Sequence, residues 1–258
     1  MTRVSSRYKI VLITMIVDLS DRQQALLKAI VEEYINSADP IGSEIIEKKY
    51  SLGVSPATIR IEMVKLTEMG YLRQPHTSAG RTPTSMGMRF FIDQLMQEKQ
   101  LPVTAEVSIK EKLWQQRYKR ERLVKEAVIA LAKRLSMLGL AVDEEGQLYY
   151  AGIANILDFP EFYDIDVTRF VLSLFDEDPR LQEIIGKAQG PDLVHILFGE
   201  EMEFEYLRST SFVFTKYGYD DGKRCGIIGV IGPARMNFPL VLPYVKYIRG
   251  ILTEALTS

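Results

Sequence analysis

Two histidines and one cysteine, His76, His195 and Cys225, are all that this 258-residue chain offers for imidazole or thiolate ligation of a metal or for a disulfide. A single cysteine excludes an internal disulfide and leaves a reducing, cytoplasmic compartment as the default. The histidines lie far apart in sequence and give no zinc or iron spacing, so no cofactor is expected. Long apolar runs are scarce as well. Ile10 to Val17, preceded by Arg3, Arg7 and Lys9, imitates the start of a secretory signal, but it is too short to cross a membrane and no small-residue cleavage site follows. No Ser, His and Asp stand at a recognisable catalytic spacing, and no enzyme activity is expected.

Net charge is scarce too, at -2, but it is unevenly spread. From Asp21 to Glu47 there are two basic and six acidic residues, whereas from Lys48 to Ile92 there are seven basic and two acidic. From Asp143 to Glu205 there are three basic and sixteen acidic residues. A phosphate backbone would be attracted to the second of these segments and repelled by the third, so DNA binding belongs to the N-terminal third. The length, with 47% hydrophobic residues, suits two globular domains.

The basic segment has a readable local structure. Ser20 and Gln23 are spaced as a capping box, with Leu27, Ile30, Val31 and Tyr34 as a helical stripe ending near Ser37. Asp39, Pro40 and Gly42 break that helix, and Ser43 is expected to cap a second one through Tyr50. Ser55 caps a third, with Pro56 at its first position, where the missing amide proton costs nothing. Ile59, Met63 and Leu66 form its inner stripe, which turns Ala57, Ile61, Val64 and Glu68 outward. Small, apolar and cationic side chains on an outward helix face suit a major groove. The base-reading candidates are therefore Thr58, Arg60, Ile61, Val64 and Lys65. Gly70 closes the helix, Tyr71 to Gln74 read as a strand, and PHTSAGR is a polar loop beside the duplex. Lys48, Lys49, Arg73, His76, Thr77, Ser78, Arg81 and, on a helix from Thr84 to Met96, Arg89 are the candidates for backbone phosphate.

Helix, strand and basic loop in this order make a winged helix-turn-helix. The pattern SPATIR..M..L...GYL.QPHTSAGR.PT..G.R.F.D resembles the DNA-binding end of the heat-inducible transcription repressors called HrcA. One departure stands in the recognition helix, where Ile61 replaces the Asn usual after the Ile-Arg pair; Asn can bond adenine through two hydrogen bonds and Ile cannot. Sequence of this kind begins near Leu19, so Met15 is an expected start, residues 1–19 an extension and 20–96 the winged-helix domain.

Few large apolar residues and Pro102 place a linker at 97–105, with a second domain at 106–258. Val124, Val128, Leu131, Leu135 and Leu138 give a heptad-like seam after the basic run Arg117, Lys119, Arg120 and Arg122; packing on the chain's own sheet is favoured over a free coiled coil. Strands are expected at Gly139–Val142, Leu148–Ile153, Leu193–Phe198, Ser211–Tyr217 and Arg224–Ile231, helices between Pro160 and Ala188, and a last helix at about Pro239–Leu256. GIANIL.FPEF, VHILFGEE and GIIGVIGPARMNF resemble the C-terminal, GAF-like domain of the same repressors. The chain is thus expected to be α+β, a winged helix followed by a GAF-like domain. The family's inserted dimerisation module, between Leu135 and Tyr149, is all but missing.

Three further motifs have plainer explanations. Gly226, Gly229 and Gly232 lack the dinucleotide spacing and suit close backbone approach in a strand. Glu200, Glu201, Glu203 and Glu205 have no histidine beside them and read as a solvated acidic loop. His195 alternates with apolar neighbours, as a core or edge histidine does.

What the resemblance implies is a repressor of chaperone operons that binds an inverted repeat in double-stranded DNA as a homodimer, with a chaperonin promoting the active state. The dimer surfaces left by the missing module are the Val124–Leu138 seam and the stripe Leu240, Tyr244, Tyr247, Ile248 and Ile251. A small-molecule sensor with a different operator, or an enzyme fused to a DNA-binding module, are the other readings.

Overall fold

Ser20 begins the first helix with the expected capping box: its hydroxyl accepts from the Gln23 amide, and its own amide donates to the Gln23 side chain. The helix, α1, runs Asp21–Ser37 and buries Leu26, Leu27, Ile30 and Val31. The computed structural model describes residues 19–176, 179–188, 190–219 and 224–257. The expectations for Met15 and the Ile10–Val17 run lie outside the described residues. The chain divides into two compact units, 1–96 and 97–258.

In the first unit α2 is Ser43–Lys49 and α3 is Pro56–Glu68. Gly42, not Ser43, is the N-cap of α2; Ser43 has already entered the helix and is buried, so its hydroxyl is not the cap. Ser55 does cap α3, accepting from the Thr58 amide, and Ile59, Met63 and Leu66 are buried as the spacing requires. Gly70, at φ +83°, turns the chain out of α3 at little cost. Strands β1, Leu72–Arg73, and β2, Thr82–Pro83, pair antiparallel, and an Ile41–Arg81 bridge adds a third edge. The helix expected from Thr84 to Met96 is two pieces: α4, Ser85–Phe90, and a wider π turn at Phe91–Leu95.

The second unit opens earlier than its composition suggested. Lys99 donates its amide to Pro239, and α5 spans Val103–Gln115 with Ala105 buried, so the segment 97–105 is partly built into this unit. Helix α6 is Arg120–Leu135. The sheet has the order β4-β3-β7-β6-β5, all antiparallel, from β3 Leu138–Val142, β4 Leu148–Ala151, β5 His195–Phe198, β6 Thr210–Tyr219 and β7 Arg224–Pro233. Two strands are shorter than expected: Ile153 belongs to a 3-10 turn, Ile153–Asp158, and Leu193 precedes β5. Side chains alternate across each strand, so the sheet needs cover on both faces. Leu138, Leu140, Phe212, Phe214, Ile227 and Ile231 meet helices α7, Ile165–Ser173, and α8, Pro179–Gly186. A short helix, α9, Gly199–Met202, follows β5, and the opposite face is covered by α6 and by α10, Phe238–Thr257.

That cover takes most of both proposed dimer stripes. Val124, Val128, Leu131 and Leu135 are all buried, and Leu138 has left the helix for β3. On α10, Tyr244, Ile248 and Ile251 are buried and Leu240 and Tyr247 are half-buried. The family-like motifs of this unit are latches. Asn155 donates its side-chain amide to the Ala132 and Met137 carbonyls at 3.2 and 3.0 Å, closing the C-terminal end of α6. Arg235 forks onto Glu161 at 2.6 and 3.2 Å, joining GPARMNF to FPEF in a nearly buried ion pair. Glu201 accepts from the Phe198 amide and Glu203 holds Lys187. A Cβ on Gly226 would stand 2.4 Å from the Tyr217 ring, and one on Gly229 would stand 2.2 Å from the Val213 carbonyl. Among the described residues no helix is long and apolar enough to cross a membrane, and no cluster of His, Cys, Asp and Glu could hold a metal ion.

Candidate nucleic-acid interface

Helix α3 presents the face its sequence requires. Ala57, Arg60, Ile61, Val64 and Lys65 are exposed, Ile61 by 57%, and Thr58 is half-buried. An isoleucine exposed beside a valine on a helix gains less from its own fold than a buried one; methyl groups placed there can meet thymine methyls in a major groove. Arg60 makes no hydrogen bond or ion pair with another described residue, so its guanidinium fork is available. Beside it the start of α2, α3 and the wing enclose a groove of about 640 Å³, lined in part by Arg60, Val64, Gln74, Thr77, Ser78 and Arg81. A shallower hollow along α3 brings Glu44 next to Ala57, Arg60 and Ile61.

The other cations are not equally available. Lys65 is held by Glu62 at 2.9 Å, and Glu62 also accepts from Gln23 at 3.0 Å. The Lys65 hydrogen bond is the main reason the Glu62 carboxyl sits below its ordinary range, with Gln23 adding to it against the opposing effect of burial. Lys49 pairs with Glu33 at 2.5 Å, and the Tyr50 hydroxyl donates to the same carboxylate. Burial and the negative charge of Glu33 push the Tyr50 hydroxyl well above its usual range. Arg81 is tied down as well: Nε donates to the Thr67 hydroxyl at 3.0 Å, and its backbone bridges to Ile41. Arg73 donates to the Thr82 hydroxyl at 3.3 Å, and Arg89 is half-buried and already engaged. Lys48 is exposed.

The wing tip is polar and open. His76, Thr77 and Ser78 are exposed, with the Ser78 hydroxyl 3.3 Å from His76 Nδ1. Sequence reasoning passed over the residue that shapes this loop: Gln74 donates its side-chain amide to the Thr77 and Ala79 carbonyls, at 2.9 and 3.0 Å. It also passed over Glu62, whose Lys65 three residues on was the available signal. Glu44 gave none, because only the fold brings α2 against α3.

A winged helix alone names no family, since many chemistries share a fold. Residues 85–242 match the family model described as the HrcA protein C terminal domain. The chain belongs to the HrcA family. A heat-inducible transcription repressor HrcA from Desulforamulus reducens is 29% identical, over 92% of this chain and 97% of that one. One of the same description from Brevibacillus brevis is 29% identical over 93% and 98%. Both alignments exceed 330 positions, against 258 residues here, so this HrcA-family chain is shorter than these relatives. A solved structure, described only as a hypothetical protein at 2.2 Å resolution, matches with a TM-score of 0.76 over 93% of this chain and 99% of its own, at 19% identity.

Proposed function

We propose that this chain is a heat-inducible transcription repressor, acting in the cytoplasm, that binds an inverted repeat upstream of chaperone genes as a homodimer. The observation that carries this reading is the outward face of α3, where an unpaired Arg60 stands between exposed Ile61 and Val64 next to an open polar wing. Arg60 reads a guanine, Ile61 and Val64 meet thymine methyls, and Thr58 lies at the helix N-terminus, where a groove-docked helix comes closest to the bases. Lys48, His76, Thr77 and Ser78 hold the backbone, while Lys49, Arg73, Arg81, Arg89 and Lys65 would have to share a partner they already have. One winged helix reads too few base pairs to find an operator among genomic competitors, which is why two copies are invoked. A chaperonin that favours the active form completes the reading, on the strength of the family resemblance.

The sensor alternative finds no room in the core beneath α7 and α8, and the larger hollow of the second unit, about 690 Å³ beside Arg120, Asp143, Glu144 and Tyr149, lies outside that core and is open and polar. Between Leu174, Leu181, Phe212 and Ile231, on the face of the sheet covered by α7 and α8, the residual cavity is about 10 Å³. That is about the space of one water probe, too little for a small-molecule ligand. Footprinting the full chain on DNA upstream of chaperone operons tests the proposal. Protection of two half-sites is expected, and it should be lost with Arg60→Ala. No protection there, with protection elsewhere, would move the protein to another operon.

A further inference from the structure

Because α6 and α10 spend their apolar stripes on their own sheet, self-association needs another surface. The strongest exposed features of the second unit are two patches of opposite sign. One is the outer face of α5 and the turn after it. Opposite the buried Ala105, Ile109 and Leu113, this helix shows Val103, 71% exposed, with Val107, Lys110 and Trp114 at the following turns. Tyr118, 83% exposed, continues the line. Residues 110–125 hold seven basic and two acidic side chains, with Lys110 paired to Glu254 and Arg120 to Glu144. The corner is pre-ordered: Arg117 stacks at 5.5 Å from Trp114 and 4.2 Å from Tyr118, and donates to the Tyr118 hydroxyl at 2.9 Å. The other patch lies on residues 153–166, where Ile153, Leu157, Tyr163 and Ile165 are exposed, the last two by 70% and 63%. Here Asp158, Asp164 and Asp166 stand at the surface, Asp166 paired with Arg169 at 2.8 Å, while the fourth carboxylate, Glu161, is already taken by Arg235.

An apolar, aromatic helix face rimmed by lysine and arginine does not suit a duplex backbone, which offers phosphate but no apolar surface. It suits a protein face that is apolar within an acidic rim, and this chain carries such a face. We propose that two copies associate by seating the α5 face of each on the 153–166 face of the other. Each copy offers one patch of each kind; a twofold arrangement joins them by two identical contacts, whereas head-to-tail growth beyond two copies would overturn the proposal. This inference rests on the homodimer reading above and supplies its surfaces.

The test is a charge exchange on the full chain. Sedimentation without DNA should show a concentration-dependent dimer that weakens with added salt. Lys110→Glu with Lys119→Glu lowers the net charge of residues 110–125 from +5 to +1, and Asp158→Lys with Asp166→Lys takes that of residues 153–166 from -4 to 0. Each variant alone should self-associate at least about tenfold more weakly, because the attraction between the two faces is largely removed. An equimolar mixture should recover part of the association as a heterodimer, in which one of the two contacts joins two unaltered faces. Melting curves confirm that both variants fold, and binding to a single half-site oligonucleotide should stay at the wild-type level. Failure of the mixture to recover, or either variant alone associating like the wild type, overturns the proposal. So does a wild-type chain that stays monomeric, and retained half-site binding would then leave the operator reading standing. If the α5 face seats flanking duplex instead, the lysine reversals will flatten the salt slope on long DNA and leave sedimentation unchanged, which also overturns it.

Discussion

Arg81 Nε donates to the Thr67 hydroxyl at 3.0 Å, and that hydroxyl in turn donates to the Met63 carbonyl at 2.8 Å. The wing is thereby fastened to the last turn of the helix it flanks, through a side chain that sequence reasoning gave wholly to phosphate. Thr67→Val keeps the shape and removes the acceptor. It should cost about 0.5–1.5 kcal/mol of stability, read by denaturant melts. It should also weaken operator binding with an unchanged salt slope, whereas Arg81→Ala would lower that slope by about one only if the guanidinium also reaches phosphate. Equal slopes for both variants would mean that Arg81 acts as a latch alone.

Glu62 holds Lys65 away from other acceptors. Glu62→Gln should free the ammonium, tighten binding to unrelated duplex and raise the salt slope by about one. The Gln23 contact can persist through the amide oxygen, so helix orientation is kept. No rise in the slope would show that Lys65 lies beyond reach of the backbone.

Arg60→Ala should cost about 1–3 kcal/mol and relax preference at one base pair. Ile61→Asn should instead move preference towards adenine at its contact position, since the amide can both donate to and accept from that base. Selection from a randomised half-site checks both. An unchanged Ile61→Asn motif would mean that this position does not face the groove.

Tyr217 lies across Gly226 on the neighbouring strand, and its hydroxyl is buried without a hydrogen-bond partner among the described residues. Tyr217→Phe should therefore be neutral or stabilising by about 1 kcal/mol, because it removes an unsatisfied buried oxygen. Gly226→Ala should destabilise by about 1–3 kcal/mol, since the ring must move off the strand. Chemical denaturation measures both, and a marked loss in Tyr217→Phe would reveal a partner for that hydroxyl.

His195, on the edge strand β5 against Phe214, titrates below its ordinary 6.5, chiefly because burial disfavours the imidazolium. With its folded value depressed, its contribution is complete above pH 6.5 and is lost as pH falls through the lower folded value. Melting temperature should thus drop on acidification below that point, and His195→Gln should flatten the drop. A parallel pH profile for the variant would remove His195 as the cause.

The sequence alone determined the local parts of this protein. Ser20 with Gln23, Ser55 with Pro56, and the Ile59, Met63 and Leu66 spacing are contacts within one or two turns, so they are written in neighbouring residues. The α+β order and the face of α3 follow from them, and the quoted motifs were enough to suggest the family. What the sequence left open depends on pairs distant along the chain. Whether Val124 to Leu135 was a seam for another copy or a cover for the sheet was settled only when β3 and β7 came under α6. The same holds for Arg235 with Glu161 and Gln23 with Glu62, whose partners lie many residues away. A side chain's availability to DNA depends on what already holds it, and that is decided by which elements the tertiary packing brings side by side.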